Sequence, residues 1–135
     1  MANATNFLEL KVLDHVLSEG VRSYTPSTSL HLALLTAVAD GEAGSVTEVT
    51  GNGYARRPLA FNAASSGNVK NNGDITFATA SGGAFGTITH VGIYDSLDSS
   101  GTNNLLIFAQ LAAPKTVSDG DTFVIQDLNL QINMA

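Results

Sequence analysis

The chain has 135 residues, with 6 Lys and Arg against 12 Asp and Glu, and no cysteine. That length fits one domain over 1–135, large enough to bury roughly two-thirds of its unfolded surface. The net charge of −6 argues against nucleic acid or an anionic membrane as partner, since both need clustered positive charge, and the missing cysteines exclude disulfides and thiolate metal sites.

Charged residues make up only 13% of the sequence, against the roughly 25% usual in soluble proteins. So weakly charged a surface is a poor barrier to association. It fits a protein that lives in an assembly, or a monomer with a neutral polar coat. The start of the chain shows neither the basic region nor the long apolar core of a signal peptide. No apolar run approaches the roughly 20 residues of a membrane span. The expectation is a protein made in the cytoplasm.

The pattern predicts an amphipathic helix over about 5–19. Asn6 is the predicted cap, with Glu9 three residues later as in a capping box. Phe7, Leu10, Leu13 and Leu17 fall at helical spacing with Leu8, Val12 and Val16 beside them, while Lys11, Asp14 and Ser18 lie opposite. Gly20 supplies the stop. The apolar stripe is wide and must cover either a sheet of the same chain or a neighbouring subunit.

Tyr24–Ser29, with Pro26, reads as a linker. Leu30–Leu35 reads as a strand with Leu30, Leu32 and Leu34 on one face and His31, Ala33 and Leu35 on the other. The stretch of about 36–53 holds Gly41, Gly44, Gly51 and Gly53 and is predicted as a long exposed loop, a place for partner contact. Tyr54–Phe61 is a strand, and Pro58 makes it an edge or a bulge. Asn72-Gly73 predicts a hairpin joining a weak strand near Val69 to Ile75–Phe77.

Gly82-Gly83 marks a turn, Thr87–Tyr94 a strand with Ile88, His90, Gly92 and Tyr94 expected on one face, and Ser96–Asn104 a polar loop. Leu105–Leu111 and Thr122–Ile125 read as strands around the turn Asp119-Gly120. Leu128–Met134 alternates, with Leu128, Leu130, Ile132 and Met134 facing one way. The sum is about eight short strands, a mainly β chain predicted as an antiparallel, jelly-roll-like β-sandwich preceded by one helix.

Catalytic signals are absent from this pattern. His15, His31 and His90 are not at metal-ligand spacing, and there is no nucleophile elbow, phosphate loop or dinucleotide fingerprint. His31 and His90 fit hydrogen-bonded structural roles. Asp119-Gly120-Asp121 fits a tight turn better than a calcium loop. The expectation is a protein with no enzymatic activity, no cofactor and no metal. Arg56 and Arg57 point to opposite faces of a strand. One can pair with a carboxylate of its own domain and the other with one on a neighbour, or both can be solvated at an edge.

The order of short motifs is more specific than any one of them. A strand Leu30–Thr36 is followed by Gly-Glu-Ala-Gly at 41–44, Gly-Tyr-Ala-Arg at 53–56 and Gly-Thr-Ile-Thr-His at 86–90. Val91-Gly92-Ile93-Tyr94-Asp95, Asn-Leu-Leu at 104–106 and Val-x-x-Gly-Asp at 117–121 complete it. Over nearly the whole chain this resembles a family of small virion proteins of tailed bacteriophages, often labelled tail fibre proteins. It also resembles the cement, or decoration, proteins that clamp phage capsids.

The resemblance implies a structural, non-catalytic protein of the virion. Its first reading is a capsid cement protein, bound to the major capsid protein and to copies of itself, with a trimer as the arrangement that cement proteins suggest. Its second is a tail component, a fibre, baseplate or adaptor protein, bound to other tail proteins. The interface candidates are Phe7, Leu10, Leu13, Leu17, Glu42, Glu48, Tyr54, Arg56 and Arg57.

Overall fold

The computed structural model of the chain describes residues 2–20, 24–98 and 103–134. Its spine is β2 (Leu30–Asp40), in which Leu32, Ala33, Leu34 and Leu35 are all fully buried. A strand covered on both faces needs such an unbroken apolar run. β2 pairs with β7 (Gly86–Tyr94), and β7 with β8 (Leu105–Val117). The outer edge of β8 receives β1 (Ala2–Ala4).

The opposite edge of β2 is shared. β4 (Arg57–Leu59) lies against Leu30–Leu32, and β3 (Ser45–Glu48) against Leu35–Asp40. Two short ribbons complete the strands: β5 (Asn68–Lys70) with β10 (Gln131–Asn133), and β6 (Ile75–Thr76) with β9 (Val124–Ile125). Among the described residues every pairing is antiparallel, and one helix, α1 (Asn6–Leu17), precedes the main run of strands. The mainly β, antiparallel fold with an N-terminal helix is therefore as the sequence predicts.

The larger core lies between the sheet and the ribbons, a sandwich-like layering. Leu32, Leu34, Ile88, Val91 and Ile93 meet Ile75, Phe77, Phe123 and Leu130 there. Phe77 packs edge-on to Phe123 and stacks on Tyr54, at centroid distances of 5.9 and 6.1 Å. On the other sheet face Ala33, Leu35, Tyr94 and Leu105 gather with Phe108. Gly92 is fitted to this second cluster: a Cβ there would stand 2.8 Å from Leu105 Cδ1. Gly41 likewise lies against the Phe108 ring, in space that a Cβ would need.

Five local expectations are corrected. The stretch 36–53 is not one long loop, because Thr36–Asp40 continues β2 and Ser45–Glu48 turns back along it. Gly41–Gly44 makes the connection, closed by the Gly44 amide on the Gly41 carbonyl and the Ala43 amide on Asp40 Oδ1. The Asn72-Gly73 hairpin does not form: β5 pairs with β10 and β6 with β9. A type I′ turn needs positive φ at both central residues, and only Gly73 has it. The buried Asn71 side chain directs the chain instead.

On β7, Ile88 faces the larger core with Val91 and Ile93, so it does not share a face with Tyr94. A register shift between Ile88 and His90 resets the alternation. In the C-terminal run, Leu130 is buried but Leu128 and Met134 are exposed. Leu128 has φ 65°, which breaks the extended backbone that the alternation assumed. The helix cap is Thr5 and not Asn6. Of the predicted Ser96–Asn104 loop, residues 99–102 lie outside the described residues.

Candidate functional site

α1 is fixed at its start by the buried Thr5. The Thr5 hydroxyl donates to the Leu105 carbonyl at 2.6 Å, and its oxygen accepts the Leu8 amide at 3.4 Å. The Thr5 amide donates to Leu106 O at 2.9 Å, and the Asn6 amide to Glu42 O at 3.0 Å. The first turn is thus held between β8 and the β2–β3 connection, which satisfies donors that a helix end leaves orphaned. The Ser18 amide on Asp14 O closes the other end.

The helix lies on its domain by an unexpected face. Phe7, Leu8, Lys11, Asp14 and Ser18 are half-buried, and no residue of the helix is fully buried. Phe7 packs edge-on to Tyr24, with the Lys11 ammonium 5.8 Å from the Phe7 ring centre. The leucine side is turned outward: Leu10 is 61% exposed, Leu13 52% and Leu17 69%, with Val12 and Val16 also exposed. Spacings of three and four residues put Leu10, Leu13 and Leu17 on one stripe. Beside the start of the helix, Phe7 and Glu42 line one hollow of about 310 Å³ with Tyr94 and Asn103.

Glu48, Tyr54 and Arg56 come together, but they face inward. Arg56 forks onto both Glu48 oxygens, Nε to Oε1 at 2.8 Å and Nη2 to Oε2 at 2.7 Å. Its Nη1 donates to Ser96 O and to Asn103 Oδ1, and the guanidinium lies 3.7 Å over the Tyr94 ring. Only 6% of Arg56 is exposed. Burial pulls its pKa down, but the bonds to Glu48 outweigh this and hold it up. Tyr54 donates to Glu48 Oε1 at 2.7 Å, and burial together with that bond raises its pKa well above the ordinary phenol range.

Of the two arginine alternatives, Arg56 takes the one inside its own domain. It is the wrong side chain for a neighbour to reach. Arg57 is exposed on the edge strand β4. Sequence reasoning missed Asn103 and Tyr94 as parts of this cluster, because each lies about forty residues or more from Arg56 along the chain and only strand pairing brings them near.

His90 accepts or donates at Nδ1 to the Thr89 hydroxyl, 2.8 Å away. The buried His31 has no hydrogen-bond partner at Nδ1. Among the described residues no group of three or more His, Asp or Glu is placed to hold a metal ion, and no helix is long and apolar enough to cross a membrane.

The helix is thus pinned at one end with its leucines outward, on a β domain whose buried Glu48–Tyr54–Arg56 cluster is internally satisfied. The model of the family described as Podophage GP4 fiber I protein gp80 matches residues 3–133. The chain belongs to that family. No curated protein matches it. Membership makes it a phage fibre or tail-associated structural protein, a component of the virion. It agrees with the tail reading of the sequence better than with the capsid cement reading.

Proposed function

We propose that this protein is a non-catalytic part of a phage tail fibre, docked through the outer stripe of α1 onto an apolar surface of a neighbouring tail protein. The observation that carries this is the outward exposure of Leu10, Leu13 and Leu17 on a helix whose first turn is hydrogen-bonded to β8 and to the β2–β3 connection. Helices normally turn such residues toward their own core. Here the domain side is formed by Phe7, Lys11, Asp14 and Ser18 instead. Fixing the helix before docking reduces the ordering cost of association.

The family match supports the tail over the capsid shell. The cement reading draws on the low charge of the chain, which a fibre component satisfies equally. Phe7 and Glu42 stand at the margin of the same surface, and Arg57 is exposed on β4, so these remain contact candidates. Glu48, Tyr54 and Arg56 support the surface from within.

The test is the pair of variants Leu13→Glu and Leu17→Glu, purified and then supplied to phage lacking the native protein. Both positions are exposed, so thermal stability should move by no more than about 0.5 kcal/mol. Incorporation into tails should fall by about tenfold or more, as for an anchor residue. Normal incorporation of both variants, or incorporation into heads that lack tails, contradicts the proposal.

A further inference from the structure

The outward stripe of α1 carries a charge at its N-terminal end. Successive residues of a helix turn by about 100°. Leu10, Val12, Leu13, Val16 and Leu17 therefore share one side, and all five are exposed. Glu9, exposed in the first turn, falls between the directions of Leu13 and Val16 on that same side. It stands about 6 Å from Leu13 along the helix axis. The surface that docks is thus apolar with one carboxylate set into it.

The domain provides no cation for that carboxylate. Lys11 lies on the domain side of the helix, with its ammonium 5.8 Å from the Phe7 ring centre. His15 is turned about 120° away from Glu9. Among the described residues the Glu9 carboxylate makes no ion pair or hydrogen bond. Water solvates it in the isolated protein, and docking removes that water. A covered carboxylate without a cation loses solvation that apolar contact does not restore.

This requirement bears on the occupant. Two copies of the chain joined through this face bring no cation to Glu9. An antiparallel pair centred on Leu13 sets each Glu9 against Leu17 of the other copy, and a parallel arrangement sets Glu9 against Glu9. Each buries unpaired carboxylates, and the net charge of −6 adds repulsion. The complementary surface is an apolar patch of a different polypeptide with one Lys or Arg opposite Glu9.

We propose that Glu9 selects the partner of α1. It pairs with one basic side chain set in an otherwise apolar surface of a different virion polypeptide, and it keeps this face from joining copies of the chain to one another. The proposal rests on the docking reading above and names the chemistry of its partner.

The test supplies the full chain, as wild type, Glu9→Gln, Glu9→Lys and Glu9→Asp, to phage lacking the native protein. Each isolated protein is also followed by thermal unfolding and sedimentation. Glu9 is exposed, so the thermal midpoints should differ little. A purely apolar docking surface would accept the neutral, isosteric Glu9→Gln as well as wild type or better. With a cation opposite, the concentration that half-fills tails should rise at least about tenfold for Glu9→Gln. Glu9→Lys should raise it further through like-charge contact, and Glu9→Asp should stay closest to wild type.

Tails half-filled by Glu9→Gln at the wild-type concentration or below would overturn the proposal. So would a wild-type oligomer in sedimentation that Leu13→Glu dissolves, which would make the face a contact between copies of this chain. Normal entry of Leu13→Glu and Leu17→Glu into tails removes the docking reading and this one with it. Their exclusion from tails, together with normal entry of Glu9→Gln, removes this one alone.

Discussion

The Tyr54 hydroxyl accepts the Leu34 amide hydrogen at 3.0 Å, in the gap between the two strands that share one edge of β2. β3 ends at Glu48 opposite Leu35 and β4 begins at Arg57 opposite Leu32, so on this edge the Leu34 amide has no strand beside it. The Leu34 carbonyl is met by the Val49 amide, also at 3.0 Å. A side chain thus completes a backbone ladder. The same hydroxyl donates to Glu48, Glu48 binds Arg56, and Arg56 reaches Ser96 and Asn103 beyond β7. The chain of contacts ties the edge of the sheet to the loop at its end.

Removing the Tyr54 hydroxyl leaves a buried amide unmet and takes a donor from Glu48. Tyr54→Phe should cost about 1–3 kcal/mol, the desolvation penalty of an unpaired group, read as a lower urea midpoint at unchanged m-value. Arg56→Ala should cost more, about 3 kcal/mol or above, because it strands a partly buried carboxylate. Arg56→Lys should recover only part of that loss, since an ammonium cannot fork onto both oxygens while reaching Ser96 and Asn103. Arg57→Ala should change stability by less than about 0.5 kcal/mol. Equal effects of the two arginine-to-alanine changes would contradict the inward assignment of Arg56.

Asn71 is 0% exposed and carries three hydrogen bonds. Its Nδ2 donates to Gly73 O at 2.8 Å and to Gln126 O at 3.0 Å, and its Oδ1 accepts the Leu130 amide at 2.8 Å. These bonds join the end of β5 to the segment between β9 and β10. Asn71→Ala opens all three at once and should cost about 3 kcal/mol or more. Asn71→Asp should be at least as damaging, because it forfeits both donor bonds and buries a charge. Faster exchange of the Leu130 amide at unchanged global stability would show that the bond matters only locally.

Local signals in this sequence carry the element types well and the pairings poorly. The run Leu30–Leu35 marks a buried strand because only a strand covered on both faces needs it. Phe7 to Leu17 marks a helix by spacing alone. What spacing cannot report is which side of the helix meets the domain, since that is decided by Thr5 and the Glu42 carbonyl, which fix its entry. Gly41–Gly44 disguised a β-hairpin as a loop, because the glycines serve a turn and close packing on Phe108. Asn72-Gly73 misled in the opposite sense: Asn71 overrides the hairpin through partners more than fifty residues away. Arg56 was legible as one half of an ion pair, but its Tyr94 and Asn103 contacts depend on long-range strand register.

Two histidines give the fold a definite pH response. Burial lowers the pKa of His31, helped by the nearby Arg56 charge, and burial lowers that of His90. Each folded pKa therefore lies below the unfolded value of about 6.5. Below that value the unfolded chain binds more protons than the folded one, so stability falls as the medium becomes more acid. The histidine contribution is fully present above about pH 7 and is lost as pH drops through about 6.5 toward the folded values. Thermal unfolding between pH 8 and pH 5 should show Tm declining over this range. His31→Gln should flatten the decline, because the orphaned imidazole no longer has a charged form to exclude, and His31→Gln with His90→Gln should remove most of it. A wild-type Tm that stays level down to pH 5, or a slope unchanged in the double variant, would rule this account out.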